Sequence, residues 1–319
     1  MAREERKIDL TSPVAIWRSQ DLLGGEPVAS LTMILRTVGC RWNRCTMCGY
    51  ASVGAPATAM DLIAQFERAM QRSSPEVQEV KIYTSGSFLD PQELPVSARD
   101  AILCRLEEMG IKRLVIESRP EYITPENVGV CLSHLETEFA IGLETSNDLV
   151  RDNLIHKGFS FQDFVTASQI VHERGGRVKA YLLLKPPQLS EGEALRGAIA
   201  SARAARSHAD ILSLNLCNIQ RNTYVERLWE RGEYRPPWLW SALEVLKSVE
   251  GPIVCDPVGA GTRRGPHNCG ECDAAVAEAI RAHALTQDKS ALDRLDCRCK
   301  ETWRELNDLE EQSFGTPLR

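Results

Sequence analysis

A hydrophobic run long enough to cross a membrane is missing from this 319-residue chain. The apolar stretch from Tyr181 to Leu184 falls far short of the ~20 residues that a helical span needs. The charged first residues, 1–9, hold no apolar h-region, so no signal peptide is expected. Positive charge is not in excess either: 38 Lys and Arg against 44 Asp and Glu leave a net charge of -6. A protein that grips nucleic acid unaided usually carries a basic balance. Any work on RNA would therefore need a partner or a local patch to supply phosphate contacts. Solenoid repeats and low-complexity linkers are absent too. What remains is a soluble, cytoplasmic globular protein of ordinary composition, 43% hydrophobic and 26% charged, with no membrane partner.

Cysteine is what the chain has in abundance, with eleven residues. A secreted disulfide scaffold would be shorter and would lack the α/β pattern described next. Cys104, Cys131, Cys217 and Cys255 sit in apolar surroundings and read as small buried hydrophobes. The other seven fall into two sets, Cys40, Cys45 and Cys48, then Cys269, Cys272, Cys297 and Cys299.

From residue 31, β-rich runs at 31–37, 80–85, 113–117, 138–143, 177–184 and 211–216 alternate with helical patterns. Leu62, Ile63, Phe66 and Met70 share one helical face. Ser97 is placed to cap a helix that stops at Gly110, Ser190 and Glu193 spell a capping box, and Gly175-Gly176 ends another helix. Six strand–helix units imply a parallel sheet with helical crossovers, too few to complete an eightfold barrel. The fold class is thus α/β, a partial (βα)6 TIM-like barrel with a small C-terminal metal-binding appendage. We divide the chain into an irregular N-terminal extension, 1–30, the barrel, 31–250, and a Cys-rich region, 251–319. The last opens with a short strand at 252–255 and ends in an acidic helix from Glu305.

Working loops of such folds gather at the C-terminal strand ends. Cys40-x4-Cys45-x2-Cys48 follows the first strand there. A closed [4Fe–4S] site takes four thiolates. Three thiols with no fourth in the loop would leave one iron open to a ligand. The alternative is a zinc knuckle or three buried thiols. An electron-transfer centre would want the missing fourth cysteine. The two C-terminal pairs, Cys269-x2-Cys272 and Cys297-x-Cys299, suit a tetrahedral zinc site, with a second iron–sulfur cluster or two unrelated pairs as alternatives. Arg263-Arg264 and His267, just before them, read as a phosphate-contact patch or a solvated loop.

Polar groups end the neighbouring strands: Ser85, Gly86 and Ser87 the second, Glu117 and Arg119 the third, Glu144 the fourth and Lys185 the fifth. Gly86 would let backbone approach a ligand closely. Tyr224, Trp229, Trp238 and Trp240 either hold an unstacked base or pack a helix.

The triad resembles the C-x3-C-x2-C loop of radical S-adenosylmethionine (SAM) enzymes, with one extra residue in the first gap and Met47 where an aromatic is usual. Together with Glu117-Ser-Arg-Pro-Glu-Tyr122, Gly142-Leu-Glu-Thr145, His156-Lys-Gly-Phe159, Gln220-Arg-Asn-Thr223, Pro236-Pro-Trp-Leu-Trp-Ser241 and Pro266-His-Asn-Cys-Gly-Glu-Cys272, it makes the chain similar over nearly its full length to the RaSEA family. These are the radical SAM subunits of archaeosine synthase, in the Elongator-type radical SAM superfamily. The resemblance implies a [4Fe–4S] cluster on Cys40, Cys45 and Cys48, with SAM on its open iron and met by the strand-end residues above. It implies a 5′-deoxyadenosyl radical that breaks the C–N bond of a lysine attached to 7-cyano-7-deazaguanine in the tRNA D-loop, leaving archaeosine. It also implies a transglycosylase-like partner that attaches the lysine, and an electron donor such as ferredoxin or flavodoxin. The alternatives are another Elongator-type RNA-modifying enzyme with a different substrate, and a metal-stabilised, non-catalytic RNA-binding subunit.

Overall fold

The computed structural model describes residues 8–312; the chain's charged start, 1–7, lies outside them. Eight strands form one sheet in sequential order. They are β1 (Ala15–Leu23), β2 (Glu26–Ile34), β3 (Val77–Tyr83), β4 (Arg113–Ser118), β5 (Glu136–Glu144), β6 (Arg177–Leu184), β7 (Ile211–Leu216) and β8 (Ile253–Cys255). Strands β2 to β8 run parallel, and β1 pairs antiparallel with β2. Helices α1 (Ala59–Met70), α2 (Val96–Glu108), α3 (Pro125–Leu132), α4 (Asp148–Val150), α5 (Phe161–Glu173), α6 (Glu191–Ala205), α7 (Tyr224–Glu230) and α8 (Leu239–Ser248) follow the strands in turn. After β8 come α9 (Asp273–Thr286), α10 (Ser290–Asp293) and α11 (Cys299–Gln312). The result is the expected half-barrel with a C-terminal cysteine cluster. No helix among the described residues is long and apolar enough to cross a membrane.

Two features of the sequence reading are corrected. Residues 15–30, taken as irregular, supply β1 and the start of β2. Gly24 and Gly25, with φ of 62° and 89°, make the two-residue turn between them. Pro95 rather than Ser97 occupies the N-cap of α2. The Ser190 capping box, the positive-φ stops at Gly110 and Gly175, and the buried face of Leu62, Phe66 and Met70 are all present.

Alternation along the strands separates two faces. Val80, Ile82, Leu114, Ile116, Phe139, Ile141, Leu182 and Leu214 pack with the helices in the main core. The opposite face is polar and lines the lumen. Near the N-terminal strand ends, Lys81 Nζ lies 2.5 Å from Asp21 and 3.6 Å from Glu79, and Lys179 Nζ lies 2.5 Å from Glu138. Arg113 pairs with Glu79 and donates to the Leu22 carbonyl at 2.6 Å. Three carboxylates and three cations thus neutralise one another where the β1–β2 hairpin closes the bottom of the barrel.

Candidate active site

The cysteine loop leaves β2 and is tied to the far side of the lumen. Thr46 donates from its N–H to the Ile155 carbonyl (2.9 Å) and from its hydroxyl to the Leu154 carbonyl (2.7 Å). Its own carbonyl accepts from Tyr224 N–H at 3.0 Å. Gly49 N–H donates to Gln220 Oε1 at 2.6 Å. Trp42 donates to the His156 carbonyl at 2.6 Å and lies flat on Gly158, where a Cβ would stand 2.0 Å from the ring. Gly158 also has φ of 74°, so glycine is required there twice over. Arg119 and Arg44 stack on the Trp42 ring at 5.0 and 5.3 Å. Segments after β2, β5 and β7 therefore hold the three thiols over the open end of the lumen.

The turn after β3 touches this loop directly. A Cβ on Gly86 would meet Cys40 Cα and Cβ at 2.8 Å and Glu93 Oε2 at 2.6 Å. Glu93, 2% exposed, accepts from the Ser87 N–H at 2.6 Å and from the Thr37 hydroxyl at 2.8 Å. The Thr37 oxygen in turn accepts from Gly39 N–H at 3.2 Å. One buried carboxylate therefore locks the glycine turn to the start of the cysteine loop. Sequence reasoning missed Glu93. Ser87 Oγ also accepts from Arg119 N–H at 3.1 Å, linking β3 to β4.

The remaining strand-end residues are reached in different ways. Glu144, at φ 66°, ends β5 in the left-handed region and pairs with Lys157 Nζ at 2.6 Å. The Lys157 ammonium occupies the space a side chain on Gly142 would fill, 2.6 Å from the ideal Cβ. Lys185, at φ 61°, follows β6 likewise, but its ammonium is 2.6 Å from fully buried Glu191. Backbone strain of this kind clusters at functional sites. The Arg119 guanidinium is committed to Glu121 at 2.5 Å and the Lys157 carbonyl at 2.9 Å. Glu117 faces the lumen, where the Tyr181 hydroxyl contacts its carboxyl and the Tyr83 hydroxyl contacts Tyr181. Glu117, Tyr83 and Tyr181 are each half-buried. Burial pushes Glu117 up to about 7, against the pull of Tyr181 and Lys157. Both tyrosines are pushed far above their usual range by the same burial. Neither was singled out from the sequence. Their signal is the polar period of two in Glu79-x-Lys81-x-Tyr83 and Arg177-x-Lys179-x-Tyr181.

The two cysteine sets differ in spacing. Burial pushes Cys45 up to about 11, offset in part by Lys157, and raises Cys48 as well. A metal bound here would have to displace those protons. Among the described residues, the only group of three or more metal-ligating side chains with all ligand atoms within 4.8 Å is Cys269, Cys272, Cys297 and Cys299. Their sulfurs stand 4.0 Å (Cys269 to Cys272), 3.7 Å (Cys269 to Cys297) and 3.6 Å (Cys272 to Cys299) apart. Thiolates held tetrahedrally at about 2.3 Å from one ion would be roughly 3.8 Å apart. Each thiolate of a four-iron cluster binds its own iron and stands farther from its neighbours. The C-terminal four thus fit a single ion, whereas the sulfurs of Cys40, Cys45 and Cys48 do not gather within 4.8 Å of one another. Trp240 Nε1 and Asn268 Nδ2 point at Cys299 and Cys272 sulfur at 3.2 and 3.3 Å, the outer hydrogen bonds that metal thiolates recruit.

Trp240 and Trp238 are buried in the main core, so only Tyr224 and Trp229, both half-buried, remain near the surface. Arg264 is held by Glu226 at 2.5 Å, while exposed Arg263 leans over Trp229 at 6.0 Å. His267 donates from Nδ1 to the Gly265 carbonyl at 2.8 Å.

No family model matches the chain. The archaeosine synthase subunit beta of Methanosarcina acetivorans is 47% identical over 322 aligned residues, covering 96% of this chain and 93% of that protein. That of Thermococcus kodakarensis is 41% identical over 305, covering 90% and 94%. Among solved structures, methylornithine synthase superposes with a TM-score of 0.53 at 14% identity, over 88% of this chain and 87% of that one, and shares the fold. At such identity over nearly its whole length, the chain belongs to the archaeosine synthase subunit beta family.

Proposed function

We propose that this protein is a radical SAM enzyme of tRNA modification. It cleaves the lysine C–N bond of lysine-modified 7-cyano-7-deazaguanine in the tRNA D-loop and leaves the nitrogen behind as the amidine of archaeosine. The observation that carries this reading is the packing of Gly86 on Cys40 above a polar half-barrel lumen, in a chain of this family. Cys40, Cys45 and Cys48 would hold a [4Fe–4S] cluster. The turn Ser85, Gly86 and Ser87, fixed by Glu93, would present backbone to the amino-acid end of SAM. When bound, the cluster supplies the electron that splits the SAM sulfonium and starts hydrogen abstraction from the substrate.

The chain's own part is to orient and to exclude water. Glu144 and Lys157 form a neutral pair beneath the cysteines, and Glu117 faces the lumen between them and the salt-bridged floor. Arg119 and Lys185, whose heads are engaged elsewhere, shape the rim through their backbones. The hydrogen abstracted is on the lysine carbon bearing the nitrogen; that carbon radical would lose one electron to an oxidised electron carrier, and water adding to the resulting iminium would break the C–N bond, releasing the lysine remnant as an aldehyde and leaving the nitrogen in the amidine. A zinc ion on Cys269, Cys272, Cys297 and Cys299 would be structural. A transglycosylase-like subunit attaches the lysine and lends tRNA affinity that a net charge of -6 does not provide. A ferredoxin or flavodoxin supplies electrons. The test is nucleoside mass spectrometry on adduct-bearing tRNA after incubation with the reconstituted, reduced protein and SAM. Conversion of the adduct to archaeosine is expected. A persistent adduct with SAM consumed would overturn the substrate assignment.

A further inference from the structure

The lumen has two polar tiers, and their charge balance differs. In the lower tier each of Asp21, Glu79 and Glu138 has a cation within ion-pair distance. In the upper tier, Lys157 is matched to Glu144 at 2.6 Å and the Arg119 guanidinium to Glu121 at 2.5 Å. Glu93 and Glu117 have no ion-pair partner there among the described residues, but Glu93 accepts from the Ser87 N–H at 2.6 Å and the Thr37 hydroxyl at 2.8 Å. Lys157 acts on it only from a distance, and the Tyr181 hydroxyl is its direct contact. A buried carboxylate without a counter-charge is costly, so buried charges are paired or bind an ion. The lower tier follows that rule with the chain's own lysines and arginine; in the upper tier Glu93 is met by several neutral donors, and Glu117 is left with a tyrosine hydroxyl and no counter-charge.

We infer that Glu117, flanked by Tyr181 and Tyr83, is the lumen's binding site for a cationic N–H group, an ammonium or amidinium of a bound ligand. The carboxylate accepts the donors and supplies the charge. The two tyrosines provide hydroxyls that tune or extend the contact. The inference rests on the proposed function, because a lysine-substituted amidine carries both an amidinium and an α-ammonium. SAM, with its own ammonium, is the second possible source. The proton that burial keeps on Glu117 near neutral pH would leave as the cation enters.

The test uses the reconstituted holoenzyme with Glu117→Gln, which keeps the shape, and Tyr181→Phe, which removes one hydroxyl. SAM affinity and the KM for adduct-bearing tRNA are measured separately. A tenfold or greater rise in KM in Glu117→Gln, with SAM affinity within twofold of wild type, assigns the site to the substrate cation. A tenfold loss of SAM affinity instead assigns it to the SAM ammonium. If neither changes by more than twofold, the inference is wrong. Should the wild-type enzyme leave adduct tRNA untouched, the archaeosine reading fails on its own. Butylamidinium is then the probe, titrated calorimetrically into wild type and Glu117→Gln. Binding lost in the variant supports the site, and equal binding or none in either protein overturns it.

Discussion

Adding one methyl group at Gly86 tests the link between the glycine turn and the cysteine loop. The new carbon would stand 2.8 Å from Cys40 Cα and Cβ and 2.6 Å from Glu93 Oε2. Carbon atoms rest at about 3.5–4.0 Å, so one side must retreat by roughly 1 Å. Glu93 is poorly able to retreat, because Ser87 N–H and the Thr37 hydroxyl hold its carboxylate at 2.6 and 2.8 Å. The displacement therefore falls on Cys40. Overpacking of this kind costs about 1–3 kcal/mol. That lowers the melting temperature by several degrees but leaves the protein folded. The larger effect is on the metal site, where ligand positions are tolerated within about 0.2 Å. Gly86→Ala should keep its circular dichroism spectrum while losing at least tenfold in 5′-deoxyadenosine formation, with less iron retained after reconstitution. Gly129→Ala is the control: it adds the same methyl within α3, where nothing lies within 4 Å. If Gly86→Ala retains iron and activity as Gly129→Ala does, the two loops do not form one cradle and the site as described is wrong.

Lys157→Met should leave Glu144 buried and unpaired, destabilising by about 3–5 kcal/mol, whereas Lys157→Met with Glu144→Leu should recover most of it; chemical denaturation of the apo protein measures both. Zinc content by mass spectrometry should be one ion per chain and fall to near zero in Cys272→Ala, with a lowered melting temperature and the visible absorbance of the iron–sulfur cluster retained. Loss of that absorbance would show that the two cysteine sets are not independent. Glu117 has its folded-state pKa raised from 4.5 to about 7. Its destabilising contribution is therefore absent below about pH 4.5 and grows as pH rises to about 7. Relative to wild type, ligand-free Glu117→Gln should gain about 2 kcal/mol between pH 5 and pH 8. A pH-independent difference would refute the burial argument.

The parallel strands were legible because their helix-facing residues are apolar and the runs end at helix signals. Strand β1 was not. Its outward residues are mixed, and Gly24-Gly25 read as irregular chain although two consecutive glycines between extended runs also spell a tight hairpin turn. The cysteine loop and the C-terminal four were visible as spacings, because ligands from one turn must be near in sequence. Glu93 and the tyrosines were hidden for the opposite reason. Glu93 matters only because the chain folds the turn after β3 onto the loop after β2, a contact across 56 residues to Thr37. Tyr83 and Tyr181 look like ordinary strand aromatics until the lumen face is known. Lys185 shows the reverse limit. Its place after a strand was predicted, but not the buried Glu191 that takes up its charge. For Trp238 and Trp240 the sequence left base-stacking and helix packing both open, and the structure buries both in the main core, Trp240 within α8 and Trp238 at its N-cap.

The central claim is that this lumen cleaves SAM for a lysine-bearing 7-deazaguanine in tRNA. Anaerobic 5′-deoxyadenosine release by the reconstituted, reduced protein tests it most directly, with tRNA carrying the adduct and the same tRNA lacking it. Release should rise at least tenfold with the adduct and vanish in Cys45→Ala. Equal release with both tRNAs, or none with the cluster spectroscopically intact, would contradict it.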